Sequence, residues 1–395
     1  MKLQKSYLAA AIGTALSAVG TAALAQAPAP APVSVQLYGQ VSRTLMFADD
    51  GVQSKWFHVD NEASGTRFGI TGTGAVMPGL RAGFRIEYDA QSNESQRVTF
   101  SPQAGTFGPQ SSFSAADEDH GGWAERHMDA WIEGGWGRIN IGQGDGAANG
   151  ATESDLSGTG MANGIGVADI GGGINFRNSA TGALLSNVNA TINQQDFESR
   201  YDRLMYVTPT FGGFRAQASW GQKPASGVTP TNTVGQSVSA NTDVKEISAW
   251  YGGKLAGDLA AAIGWSERGA STPGGTKDEY IGGSISWLSA FGLNLTASYS
   301  KRDQPAVAAA AVRDSTFMYF KVGFKTGAHA IAVDYATGED FAALNDESKM
   351  YGIGYVWNPI RWLELYAAYK IHELDRPGTS TEEINIGHIG TRVRF

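Results

Sequence analysis

The groups in this sequence whose types and spacing most readily do chemistry are charged. Arg85 and Glu87 stand two residues apart, so an extended backbone sets both on one face. Between positions 145 and 199 lie Asp145, Glu153, Asp155, Asp169, Asp196 and Glu198 against Arg177, a local charge of −5. Such groups can orient dipolar solutes, bias ion passage or weakly bind a divalent cation, whereas the plainer reading is a solvated acidic loop. Asp117-Glu118-Asp119 has the same two readings, with weak Ca²⁺ binding as the sharper one.

Other chemistry is poorly served. His58, His120, His127, His329, His372 and His388 are scattered, without an i, i+4 pair or metal-ligand spacing. With no Cys, thiol nucleophiles, disulfides and cysteine zinc sites are excluded. The Gly-rich 158–173 lacks the Lys-Ser/Thr and following helix of a phosphate-binding loop, and no nucleophile-elbow G-x-S-x-G occurs. A Ser-His-Asp triad assembled from distant positions stays open. No cofactor is implied, and a net charge of −8 argues against a nucleic-acid partner.

The elements that must position these charges read as strands. The 395 residues include 52 Gly, 10 Trp, 14 Tyr and 17 Phe, too aromatic for simple disorder. Beyond the N-terminus no apolar run reaches the ~18 residues of a membrane helix. From Val33 onward the pattern has period two. Leu363, Leu365, Ala367, Tyr369 and Ile371 oppose Glu364, Tyr366, Lys370 and His372; Met318, Phe320, Val322 and Phe324 oppose Tyr319, Lys321 and Lys325. Leu293, Leu295, Ala297 and Tyr299 likewise oppose Asn294, Thr296, Ser298 and Arg302.

Connections alternate in length. Short turns fall at 77–79, 135–137, 208–210, 255–257, 289–291, 326–327 and 358–360. Longer polar loops fall near 48–65, 91–123, 145–199, 224–242, 269–276, 303–314, 338–347 and 375–381, which makes sixteen strands. An even strand number with short turns on one rim and long loops on the other predicts an all-β, sixteen-stranded antiparallel transmembrane barrel over 33–395. In a soluble sandwich the apolar faces would meet in a core. Here the opposite faces are polar enough for a wet lumen, and Trp220, Trp265, Trp287, Tyr299, Tyr351 and Trp357 recur at strand ends like interfacial girdles.

The N-terminus reads as an address. Lys2 and Lys5 precede an apolar stretch from Leu8 to about Ala22 and the small-x-small Ala23-Leu24-Ala25. We place signal-peptide cleavage after Ala25, with Ala27 as the alternative; removing two Lys and no acid takes the formal charge from −8 to −10. An Ala/Pro spacer over 26–32 follows.

The chain resembles the general porins of Gram-negative outer membranes across 33–395. The likeness is carried by Val35-Gln36-Leu37-Tyr38-Gly39, by Ser64 through Ile70 with Gly79-Leu80 and Ile86-Glu87-Tyr88, and by Arg126 through Gly137 with Ile141-Gly142. Arg200, Tyr206, Pro209 and Phe211-Gly212-Gly213-Phe214 add to it, as does the terminal Arg392-Val393-Arg394-Phe395, similar to the family's assembly signal. The resemblance implies an outer-membrane barrel embedded in lipid and lipopolysaccharide, usually a homotrimer. Ions and small hydrophilic solutes would diffuse through it passively. It also implies that the third long loop, 145–199, folds inward and constricts the pore. The family's Pro-Glu-Phe-Gly-Gly-like stretch is missing there; Glu153 through Thr159 stands instead.

By motif position Arg67 and Arg126 match wall arginines of that family and Glu87 an acidic wall position, with Arg85 beside it. From the loop we select Glu153, Asp155 and Asp169 as the facing acids. Loop acidity favours a weak cation preference against the pull of the three arginines. A substrate-specific channel, an outer-membrane hydrolase and an adhesive barrel are the competing functions.

Overall fold

A computed structural model describes residues 33–100, 124–224, 241–269, 277–303 and 314–395. The expected signal peptide, the spacer and the Asp117–Asp119 run lie outside the described residues. Nineteen strands occur among the described residues. They are β1 Ser34–Asp49, β2 Ser54–Asp60, β3 Arg67–Met77, β4 Leu80–Asp89, β5 Ala124–Gly134, β6 Gly137–Asp145, β7 Asn175–Arg177, β8 Leu184–Asn187, β9 Arg200–Val207 and β10 Phe214–Pro224. The rest are β11 Asn241–Lys254, β12 Gly257–Arg268, β13 Asp278–Ser289, β14 Leu293–Asp303, β15 Asp314–Thr326, β16 His329–Glu339, β17 Glu347–Ile360, β18 Leu363–Asp375 and β19 Ile384–Arg394.

Consecutive strands pair antiparallel, and β1 closes on β19 from Gln40↔Arg394 to Asp49↔Asn385. On its other edge β1 pairs β3 with its first half and β2 with its second, so β2 and β3 occupy one wall position, interrupted by the 3-10 turn Glu62–Ser64. With β7 and β8 forming a separate hairpin, the wall is a closed antiparallel barrel of 16 strands.

The period-two reading holds side by side. On β15, Met318, Phe320, Val322 and Phe324 are exposed while Tyr319 and Lys321 are buried. On β18, Glu364, Tyr366, Lys370 and His372 are buried opposite exposed Tyr369. The apolar face is therefore the outer one, the inverse of a soluble protein. Trp220, Tyr299, Tyr351 and Trp357 of the expected girdle are exposed; Trp265 and Trp287 are only partly so.

Two boundaries differ from expectation. The polar loop read at 48–65 contains a strand: β2 buries Phe57 and Val59 between outward Trp56 and His58. Those inward positions meet protein rather than water, so their apolar character hid the lumen face. The turn read at 358–360 lies inside β17, which runs to Ile360 with a bulge after Trp357. A bulge leaves a residue unpaired and so accommodates Pro359, which cannot donate to the ladder.

The main apolar core is inside the barrel. Met46, Phe57, Val59, Phe317, Tyr319, Met350, Ile384 and Ile386 of the wall pack against Ile165, Val167, Ile170, Ile174, Phe176, Val188 and Ile192 of the segment between β6 and β9. That segment thus contributes buried area on one flank, while polar contacts fix it elsewhere.

Candidate functional site

One wall of the lumen is a band of interlocked charges on β3, β4 and β5. Glu87, 5% exposed, accepts from the Tyr38 hydroxyl at 2.8 Å and from Arg126 Nε at 2.7 Å, with Arg67 Nε at 3.9 Å. Arg126 also reaches Asp89 at 3.1 Å. The facing of 124–136 is ambiguous in sequence because His127, Asp129 and Glu133 suit the wet side as well as Arg126 does. A bulge resolves it: Glu87 pairs His127 while Tyr88 pairs Glu125, so Arg126 is the extra residue and both side chains turn inward.

Arg85 faces inward beside this cluster, 2.6 Å from His127 Nδ1 and 3.8 Å from both Asp129 and Asp145. Arg203, absent from the sequence selection, is the best-anchored guanidinium here. It bonds Asp129 at 2.8 Å, the Gly142 carbonyl at 2.6 Å and the Asp145 carbonyl at 2.8 Å. Gly142 itself stands at φ +118°, a conformation that favours glycine. Further round, Glu364 accepts from Arg392 and, at 2.6 Å, from Arg394. The Arg392-x-Arg394 spacing was the signal for these two, since period two places both on Glu364's side.

Facing this wall is the segment between Asp145 and Arg200, which runs inside the barrel along the inward faces of successive strands. Its backbone amides at Ala147, Ala148, Ser154 and Leu156 donate to Ser219, Glu246, Ser284 and Ser286 on β10, β11 and β13. Ser284 and Ser298 donate back to the carbonyls of Ala151 and Thr152. Farther along, Asn163 bonds Asp334 at 2.9 Å and Lys370 bonds the Val167 carbonyl at 3.3 Å. Small hydroxyls at alternate wall positions thus satisfy the loop's backbone groups. Asp169's carbonyl is held by Ser95 at 2.6 Å, and Arg177 pairs Asp50 at 2.7 Å, tying the far end to the connection after β1.

The three selected loop acids have different lots. Asp155 pairs Lys321 at 2.7 Å; burial alone would raise its carboxyl, but the ammonium and Ser157 hold it below the usual range. Glu153 is exposed to the lumen and accepts one bond, from Gln194 at 3.2 Å. Asp169, half-buried, is raised well above an ordinary aspartate by its enclosure and by the Glu62 and Glu153 carboxylates. All three line a cavity of about 400 Å³ that Arg392, Arg394 and Glu364 also line. Arg85 lines a second, of about 710 Å³, on the side of the short turns. Arg67, Glu87 and Arg126 are joined to one another on the wall, without an ion pair to the loop acids.

A family model described as Gram-negative porin matches residues 9–376. No curated protein matches the chain. Among solved structures, the chain is similar to an anion-selective porin from Comamonas acidovorans at 19% identity and TM-score 0.62, covering 92% of this chain and 100% of that one. It is also similar to Salmonella typhi OmpF in complex with daunomycin at 14% identity and TM-score 0.60, covering 91% and 97%. The outer-membrane channel DcaP of Acinetobacter baumannii matches at 13% identity and TM-score 0.59, covering 92% and 97%. At such identities the likeness speaks for the barrel and its connectivity alone. The family match spans nearly the whole chain and falls on that same barrel. The chain therefore belongs to the Gram-negative porins and forms an outer-membrane channel for passive diffusion of solutes.

Proposed function

We propose that the pore narrows between Glu153, Asp155 and Asp169 on the inner segment and Arg67, Arg85, Glu87 and Arg126 on the wall. It then passes ions and small hydrophilic solutes with a weak preference for cations. The observation that carries the preference is an asymmetry of pairing. Arg67, Arg126, Arg392 and Arg394 each have a carboxylate within 4 Å, whereas Glu153 and Asp169 stand in no ion pair among the described residues. Paired charges largely cancel at a distance, so the net field in the narrow part comes from the two acids. The channel works by diffusion without a catalytic step, since these charges serve to hold the loop and polarise the lumen.

We also infer a homotrimer. In support, Arg43 lies on the outer face of β1 with its side chain partly exposed, and a charged group there suits a protein neighbour better than lipid. Single-channel recording in a planar bilayer under a salt gradient tests the whole reading. Large ohmic steps closing in thirds with a small cation-directed reversal potential are expected. An anion-directed potential overturns the preference, and silence from a folded barrel overturns free diffusion.

A further inference from the structure

The cavity of about 710 Å³ on the short-turn side differs in kind from the constriction. Two indoles line it, each carrying a guanidinium on its face. Arg138 sits 4.2 Å from the Trp131 ring centroid and Arg215 5.4 Å from that of Trp250. Trp250 is fixed in turn by its Nε1–H donating to Ser248 at 2.8 Å. The four residues come from β5, β6, β10 and β11, and strand alternation turns all of them inward.

Charge here is left over rather than cancelled. Arg215 makes no ion pair among the described residues, and Arg81 bonds only Thr73, at 3.1 Å. Arg138 has its nearest carboxylate, Glu133, at 3.9 Å, and its Nε is buried without a partner. An arginine held over an indole keeps edge N–H groups available, and a carboxylate matches the guanidinium fork with two parallel bonds. The uncovered parts of the indoles offer a flat ring a surface to stack on.

We propose that this vestibule is a binding subsite for planar aromatic monocarboxylates, which dwell there while crossing. Arg138 and Arg215 take the carboxylate and the indoles take the ring. The inference rests on the channel reading and adds a solute class to it. A weakly cation-preferring constriction and an anion subsite are compatible, because binding below the constriction offsets the cost of passing it.

The test is single-channel recording of the refolded full-length mature protein in chloride, then with benzoate added on the short-turn side. Transient closures whose frequency rises with benzoate are expected, with cyclohexanecarboxylate and benzamide at equal concentration blocking far less. Arg215→Gln and Arg138→Gln should each weaken block about tenfold while chloride conductance persists, the loss expected for one charge-assisted bond. Normal conductance with no benzoate block, or block equal for cyclohexanecarboxylate, overturns the subsite and leaves the channel reading standing. Calorimetric titration of the detergent-folded protein with benzoate reads the subsite independently of conduction; absence of binding there also overturns it.

Discussion

The Lys321 ammonium lies 2.7 Å from the Asp155 carboxylate, across 166 positions of sequence, with the lysine side chain 0% exposed. The pair fastens the inner segment to β15. Removing one partner of a buried pair leaves an uncompensated charge and costs about 3–5 kcal/mol, whereas removing both costs less. Lys321→Met should therefore lower the heat-unfolding temperature of the barrel and raise open-channel noise. Asp155→Asn combined with Lys321→Met should recover part of both. The Asp155 carboxyl titrates below its unfolded range, so this contribution is full above the unfolded value and is lost as pH falls through the depressed one. Noise should stay low at mildly acid pH and rise only in strong acid.

Asp169 behaves oppositely. Its carboxyl is raised by burial and by Glu62 and Glu153, so it gains its proton at a higher pH than an ordinary aspartate. Protonation removes one of the two unpaired negative charges. Cation preference should decline on mild acidification, before Asp155 titrates. Reversal potentials measured stepwise downward from neutral pH check this, and Asp169→Asn should leave only the part of the profile due to Glu153, whose carboxyl is raised by its enclosure as well.

These two acids also show what was legible in the sequence. The barrel could be read because period two is local: neighbours such as Phe320 and Lys321 declare opposite faces without knowledge of the rest. The site was only half legible, because pairing across strands is not local. Asp155 and Asp169 look alike in sequence, and only the wall opposite makes one anchored and the other free. Arg126 entered the lumen through a bulge, which shifts the alternation without a marker in composition. The strand β2 escaped notice because Phe57 and Val59 face a protein-filled part of the lumen, where the polar-inside rule fails.

Asp60 should govern the start of the loop after β4. Though 1% exposed, it accepts from Arg43, Thr66 Oγ1 at 2.7 Å, Ser92 N at 2.9 Å and Asn93 N at 3.1 Å. Hydrogen bonds to a charged group are worth roughly 1.5–3 kcal/mol each, so Asp60→Asn weakens several at once. Arg97, with a side chain 60% exposed, provides the readout. Trypsin should cut after Arg97 faster in the variant, with the barrel itself still resistant.

Barrel closure depends on Gly39. Its N–H bonds the Phe395 carbonyl at 3.1 Å and its carbonyl accepts from Phe395 N–H at 3.0 Å, which extends the β1–β19 seam to the last residue. The terminal ring lies over this glycine: a Cβ there would come within 2.5 Å of Phe395 Cζ and 2.7 Å of the Arg67 carbonyl. The ring could swing away, but the carbonyl belongs to β3 and is fixed by the ladder. Gly39→Val therefore strains the seam on both edges of β1, where an open barrel leaves unpaired N–H and C=O groups facing lipid. Refolding yield, read as the fraction migrating as unheated compact barrel, should collapse in Gly39→Val and fall only modestly in Phe395→Leu. The second variant keeps the backbone bonds and loses only the ring. Equal yields for the two would place closure on the ring rather than on the glycine.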